Sequence, residues 1–149
     1  MYFSKKFSEF KNLKHCFFSK NGGVSEDIYS SLNCGLGSND KKNNVLNNLS
    51  IVSKKIGVSK NNLFLMNQTH SNKVVTINEK NKNIKTIYAD ALITKINNIA
   101  ISVLTADCVP ILIYEEVNRI VACVHAGWKG AVNGIIKKTL NEIIDMSKN

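Results

Sequence analysis

The 149-residue chain has the length of one domain, and its 44% hydrophobic and 21% charged residues exclude collagen-like, mucin-like and wholly disordered classes. No apolar run approaches the roughly 20 residues of a membrane span, the longest being Ile99 to Leu104, and the N-terminus Met1-Tyr2-Phe3-Ser4-Lys5-Lys6 lacks the apolar stretch of a secretory signal; a cytoplasmic protein with no membrane partner is expected. The net charge of +9 does not point to nucleic acid: of 20 basic residues only Arg119 carries the planar guanidinium on which base readout leans, so the charge is read as solvated lysine faces that secondarily attract acidic ligands.

In chain order, Cys16 to Ser19 reads as a strand, followed by the glycine turn Lys20-Asn21-Gly22-Gly23-Val24-Ser25. Asp40 is placed to cap a helix whose apolar positions Val45, Leu49, Val52 and Ile56 recur at helical spacing, with Gly57 as its terminator. Short runs rich in β-branched residues predict strands at Leu63 to Met66, Val74 to Ile77, Ala91 to Thr94, Ile99 to Leu104, Val109 to Tyr114 and Ile120 to Val124. Their continuous apolarity is that of strands covered on both faces. Val132, Ile135, Ile136, Leu140, Ile143 and Ile144 line one side of a final helix, so strand, glycine loop and helix succeed one another from Ile120 to Asp145. No repeat or linker interrupts the chain. It is read as a single domain of the α/β class, a layered mixed β-sheet with flanking helices.

Chemistry concentrates in three segments: Asn67-Gln68-Thr69-His70-Ser71-Asn72, Thr105-Ala106-Asp107-Cys108 and His125-Ala126-Gly127-Trp128-Lys129-Gly130. Cys16, Cys34 and Cys123 sit among apolar neighbours and read as small core residues. Cys108 instead ends an apolar run at a turn, and both Cys108 and His125 are expected at the C-terminal ends of strands, which converge on ligand crevices in α/β proteins. One thiolate and two imidazoles make a three-ligand set for zinc with an open fourth position. The other reading is a loop His70 bonded to Ser71 or Asn72 and a strand-end His125 satisfied by its surroundings.

These segments, with Phe18-Ser19 before Gly22-Gly23-Val24-Ser25, Ser31-Leu32-Asn33 and Tyr88-Ala89-Asp90-Ala91-Leu92, resemble the laccase-like polyphenol oxidase family, also called the peptidoglycan editing factor or purine nucleoside phosphorylase family. The resemblance runs from about Phe17 to Leu140. It implies a zinc ion held by His70, Cys108 and His125, phosphorolysis of adenosine, inosine, guanosine and methylthioadenosine, and adenosine deamination as a further activity. Members are also linked to peptidoglycan precursor quality control, and the laccase label implies copper. Asn33 and Asp40 match positions where contacts to substrate or phosphate are implied, turn bonding and helix capping being the structural alternatives. Family chains continue beyond the equivalent of Asn149, so residues 1–149 are expected to be the N-terminal portion of the family domain, completed by a C-terminal segment or paired as a homodimer. The family arginine of the first helix is Asn48 here, and Asn48→Arg is expected to be the informative variant for phosphate binding; a second family arginine is Lys20.

Zinc suits this donor set better than copper, because only His15 remains after the two ligand histidines and a multi-copper oxidase needs many more. The glycines from Gly127 to Gly130 offer backbone N–H groups and Lys129 a charge to an anion, an ordinary glycine turn being the alternative. Trp128 is read either as a purine platform or as a packed core residue. Asp107 is the candidate catalytic carboxylate, acting on a proton directly or hydrogen-bonding a backbone amide or a ligand histidine. Two other functions stay open: a metal-free hydrolase in which His125 activates Cys108, and a non-catalytic truncated metal-binding protein.

Overall fold

The computed structural model describes residues 1–148. Although no linker marks a boundary, the packing divides the chain into two compact units, Met1–Asn62 and Leu63–Asn149.

The first unit holds a short helix α1 (Lys5–Ser8) and the long α2 (Lys42–Ile56). Val45, Leu49 and Val52 bury one face of α2, as their spacing predicts. Gly57 ends it with φ +86, a conformation open to glycine, and the N–H groups of Gly57 and Val58 both reach the Ser53 carbonyl. The predicted cap is displaced: Lys41 occupies the cap position without a side-chain bond. Asp40 instead accepts from Ser25 Oγ (2.6 Å), Asn33 Nδ2 (3.0 Å) and Lys41 N–H (2.7 Å). The Ser25 hydroxyl is the chief cause holding its carboxyl below the usual range. The predicted strand Cys16 to Ser19 is reduced to one antiparallel bridge between Phe17 and Tyr2. Pairing ends there because the chain turns at once, the Lys20 carbonyl accepting the Ser31 and Leu32 N–H groups. His15 is structural, its Nε2 accepting the Ser4 N–H at 2.8 Å and its ring lying edge-on to Phe3 and Phe7.

Six strands make up the second unit: β1 (Leu63–Leu65), β2 (Val74–Ile77), β3 (Ala91–Thr94), β4 (Ala100–Ser102), β5 (Val109–Glu115) and β6 (Ile120–Ala126). All six fall on the predicted runs, β5 continuing one residue and β6 two residues past them. β1 and β4 form a parallel pair, while the main sheet has the order β2-β3-β6-β5, parallel between β2 and β3 and antiparallel elsewhere. Alternation along β3 divides its side chains between two layers: Leu92 packs with Phe64, Met66 and Cys123, whereas Ala91 and Ile93 pack toward Ile135 and Ile143. β3 and β6 are largely apolar because both faces are covered, Thr94 and His125 being their polar residues; β5, at an edge, is only half-buried.

The final helix is not continuous. Gly134, at φ +77, separates α3 (Trp128–Val132) from α4 (Ile135–Ser147), and Val132 is exposed. Ile135, Thr139 and Ile143 are the buried row of α4, while Ile136, Leu140 and Ile144 form a neighbouring exposed row. Successive helical residues are rotated by about 100°, so a flat sheet covers one of these rows and leaves the other. Among the described residues no helix is long and apolar enough to cross a membrane.

Candidate metal centre

Sheet pairing brings the three distant donors together. β5 and β6 are antiparallel with Val109 opposite Ala126, so Cys108, just before β5, comes beside His125, one residue from the end of β6. This corrects the expected placement of Cys108 at the C-terminal end of a strand. The carboxyl-end rule belongs to parallel sheets, whereas here β2, β3 and β5 start at the edge where β6 ends. His70 arrives on the loop before β2 with φ +56. The imidazole nitrogens of His70 and His125 and the Cys108 sulfur lie within 4.8 Å of one another. His70 is exposed, Cys108 half-buried and His125 buried. The two imidazoles meet edge-on, with centroids 4.9 Å apart and planes at 84°.

Two further residues set this geometry. Gln68 bonds both backbone groups of Leu104, its Nε2 donating to the carbonyl (2.6 Å) and its Oε1 accepting from the N–H (2.9 Å), which ties the His70 loop to the segment leading to Cys108. Gly127 is the closest wall: a Cβ there would stand 3.0 Å from His70 Cδ2, 3.2 Å from Cys108 Sγ and 3.5 Å from His125 Cε1. Gly127→Ala is accordingly expected to leave the fold intact and to weaken metal binding about tenfold, by spreading donors that must converge. A competition titration with a chromophoric chelator measures this.

Sequence reasoning missed Asp90. This fully buried carboxylate bonds His125 Nδ1 at 2.8 Å and accepts backbone N–H groups from Thr69, His70 and Ser71. Burial opposes its ionisation, but bonds from His125, Ser71 and Thr69 prevail and hold its pKa down at about 2. The detectable signal was a charge at the mouth of the apolar run Ala91 to Thr94, since a buried carboxylate requires partners. Asp107, by contrast, is exposed in the bend before Cys108, and the hydrogen bond to a ligand histidine considered for it is made by Asp90.

Trp128 is 73% exposed rather than packed, with Lys129 Nζ 5.5 Å from its ring centroid. The glycine loop leads only into the five-residue α3, and Gly130 lets that turn approach the Ser71 carbonyl, 2.8 Å from where a Cβ would lie. Asn33 and Asp40 lie in the first unit, bonded to each other; Asn33 also donates to Ser38 Oγ and accepts the Gly35 N–H. Cys34 and Cys123 are buried thiols, pushed by burial up to about 11 and about 12 respectively, as expected of core cysteines.

The donor chemistry fits zinc. Zinc takes imidazole nitrogen at about 2.1 Å and thiolate at about 2.3 Å, so its tetrahedral donors stand roughly 3.5 Å apart, a spacing this group would reach by small side-chain movements. The bond to Asp90 occupies Nδ1 of His125 and leaves Nε2 as the nitrogen that a metal could use. Among the described residues this is the one cluster of three or more ligating side chains.

The fold and site define a mixed-sheet α/β protein with a one-cysteine, two-histidine centre. The chain belongs to the laccase-like polyphenol oxidase family: the family described as "Multi-copper polyphenol oxidoreductase laccase" matches residues 14–149. It is 36% identical over 135 residues to a purine nucleoside phosphorylase of Corynebacterium glutamicum, covering 90% of this chain and 55% of that one. A purine nucleoside phosphorylase of Haemophilus influenzae is 35% identical over 130 residues, covering 87% and 52%. The crystal structure of the Bacillus licheniformis hypothetical protein YfiH superposes with a TM-score of 0.80 at 30% identity, covering 87% of this chain and 51% of that one. The chain thus spans about half the length of the curated relatives it matches.

Proposed function

We propose that this chain is the N-terminal portion of a zinc-dependent purine nucleoside phosphorylase, acting on adenosine, inosine, guanosine and methylthioadenosine, with adenosine deamination as a further activity. The observation that carries the reading is the convergence of His70, Cys108 and His125 within 4.8 Å, in a chain whose relatives bear the phosphorylase name. These three residues hold zinc rather than copper, which when bound supplies a Lewis acid with one open position. Phosphorolysis passes through an oxocarbenium-like sugar attacked by phosphate, so the protein must orient the nucleoside, hold an anion and handle a proton on the base. Exposed Trp128 offers a stacking face for a purine, and Lys129 beside it a charge for phosphate. Asp107, exposed beside Cys108, is the proposed proton-transfer group, while Asn33 and Asp40 are the first unit's proposed substrate contacts. The remainder of the domain, or a second copy, is proposed as partner; the exposed row Ile136, Leu140 and Ile144 supports an apolar contact of that kind.

The reading is tested by incubating the zinc-loaded chain with inosine, with and without phosphate, and measuring hypoxanthine by chromatography. Slow release that requires phosphate and disappears in Cys108→Ala is expected. No release under either condition would reduce the chain to a metal-binding portion without activity of its own.

A second reading has one observation in its favour. Asp90, His125 and Cys108 follow one another as in a cysteine hydrolase, carboxylate to imidazole to thiol. Alkylation separates the two: bound zinc protects Cys108, whereas a free nucleophile reacts readily. Phosphate-independent hydrolysis of an acyl or peptide substrate, abolished by Cys108→Ser, would establish the hydrolase.

A further inference from the structure

Both oxygens of the Asp90 carboxylate are committed, and they are committed differently. Oδ1 accepts the His70 N–H (3.0 Å) and meets His125 Nδ1 (2.8 Å). Oδ2 takes Thr69 N–H (3.2 Å), Thr69 Oγ1 (3.0 Å), Ser71 N–H (2.8 Å) and Ser71 Oγ (2.7 Å). The backbone joins the arrangement, since the Asp90 carbonyl accepts the His125 N–H at 2.8 Å and continues the pairing of β3 with β6. A single buried side chain therefore grips the ring of one candidate ligand and the main chain of another, far apart in the chain.

We infer that Asp90 is a positioning residue for the metal centre: one carboxylate fixes His125 as the Nδ1–H tautomer, leaving Nε2 free to coordinate, and holds the Thr69–Ser71 loop so that His70 is presented to the same point. The inference rests on the metal reading above. A carboxylate is required because every group facing it is a donor: three backbone N–H groups, two hydroxyls and the imidazole. An asparagine must turn its NH2 toward one side or the other. Facing His125, it donates to Nδ1 and drives the proton to Nε2, which removes the coordinating lone pair. Facing the loop, it meets the N–H groups of Thr69 and Ser71 and unseats His70.

The test compares wild type, Asp90→Asn and Thr94→Val, which removes a buried hydroxyl at the far end of β3 and serves as the control for lost stability alone. Long-range ¹H–¹⁵N spectra of the metal-free chain report the His125 tautomer, and cobalt(II) titration, followed through its thiolate charge-transfer and ligand-field bands, reports affinity. Wild type and Thr94→Val are expected to show Nδ1–H and equal cobalt affinity. Asp90→Asn is expected to show Nε2–H or a mixture, with affinity lower by roughly 10- to 100-fold. An Nε2–H tautomer in the wild-type chain would overturn the inference even if Asp90→Asn fails to fold, as would an Asp90→Asn chain that keeps Nδ1–H or binds cobalt within about twofold of wild type. A wild-type chain that shows Nδ1–H yet gives no cobalt–thiolate band refutes the metal reading and, with it, the role of Asp90 in ligand placement.

Discussion

Cys108→Ala is expected to strip zinc from the purified chain, with elemental analysis falling from near one equivalent to background. The site has three protein donors, and loss of the thiolate leaves two imidazoles, too few to retain zinc against buffer and chelator. The three single variants should differ in a way that follows from burial. His70 is exposed and its ring is not bonded to Asp90, so His70→Ala should lose metal while the apo chain melts as wild type. His125 is buried against Asp90, so His125→Ala removes both packing and the partner of a buried carboxylate and should cost roughly 2–4 kcal/mol of apo stability besides the metal. Calorimetry in the presence of a chelator gives the stability order; full zinc occupancy after Cys108→Ala would remove the thiolate from the ligand set.

The second large effect is expected at Asn48. The family resemblance implies an arginine at this position as a route to phosphate binding, but Asn48 is fully buried and its amide is fully used. Its Oδ1 accepts the Val24 N–H (2.8 Å), and its Nδ2 donates to Ser25 Oγ (2.8 Å), the Ser31 carbonyl (3.1 Å) and the Asn33 carbonyl (2.8 Å). One side chain thus brackets the glycine turn and the Ser31 to Asn33 segment onto α2. Gly23 is moulded to it, because a Cβ at that position would lie 2.5 Å from Asn48 Oδ1 and collide with the Ser31 carbonyl. Asn48→Ala takes the side-chain partner from the Val24 N–H and the Asn33 carbonyl, while the Ser31 carbonyl keeps the Ser25 N–H, and should cost about 3 kcal/mol. Asn48→Arg should be worse, since it adds volume to a packed site and an unpaired charge to a buried one. Denaturant unfolding measures both; an arginine variant as stable as wild type would show that the bracket is dispensable.

Local physics made much of the fold legible in the sequence. The six β-branched runs became the six strands because their composition suits a pleated surface covered by other layers. Gly57 ended α2 where the helical spacing of Val45, Leu49 and Val52 ran out. The three candidate donors were legible too, since thiol and imidazole at the edges of apolar runs are chemically conspicuous, and the structure brings them together. The sequence alone could not settle strand order and direction, which depend on contacts between distant segments. Cys108 meets His125 only because β5 and β6 are antiparallel and paired from Val109 to Ala126. The same nonlocal pairing sets Asp90 beside His125, and burial then turned a carboxylate that looked incidental in Tyr88-Ala89-Asp90-Ala91-Leu92 into the group that holds two histidines. The misread elements share this cause. Cys16 to Ser19 had strand composition but found a partner only at Phe17, and the final apolar stripe was covered only along Ile135, Thr139 and Ile143 because the sheet offers a helix only one surface to bury against. Residue chemistry and periodicity are properties of a local stretch of chain, whereas pairing, register and burial are properties of what that stretch meets.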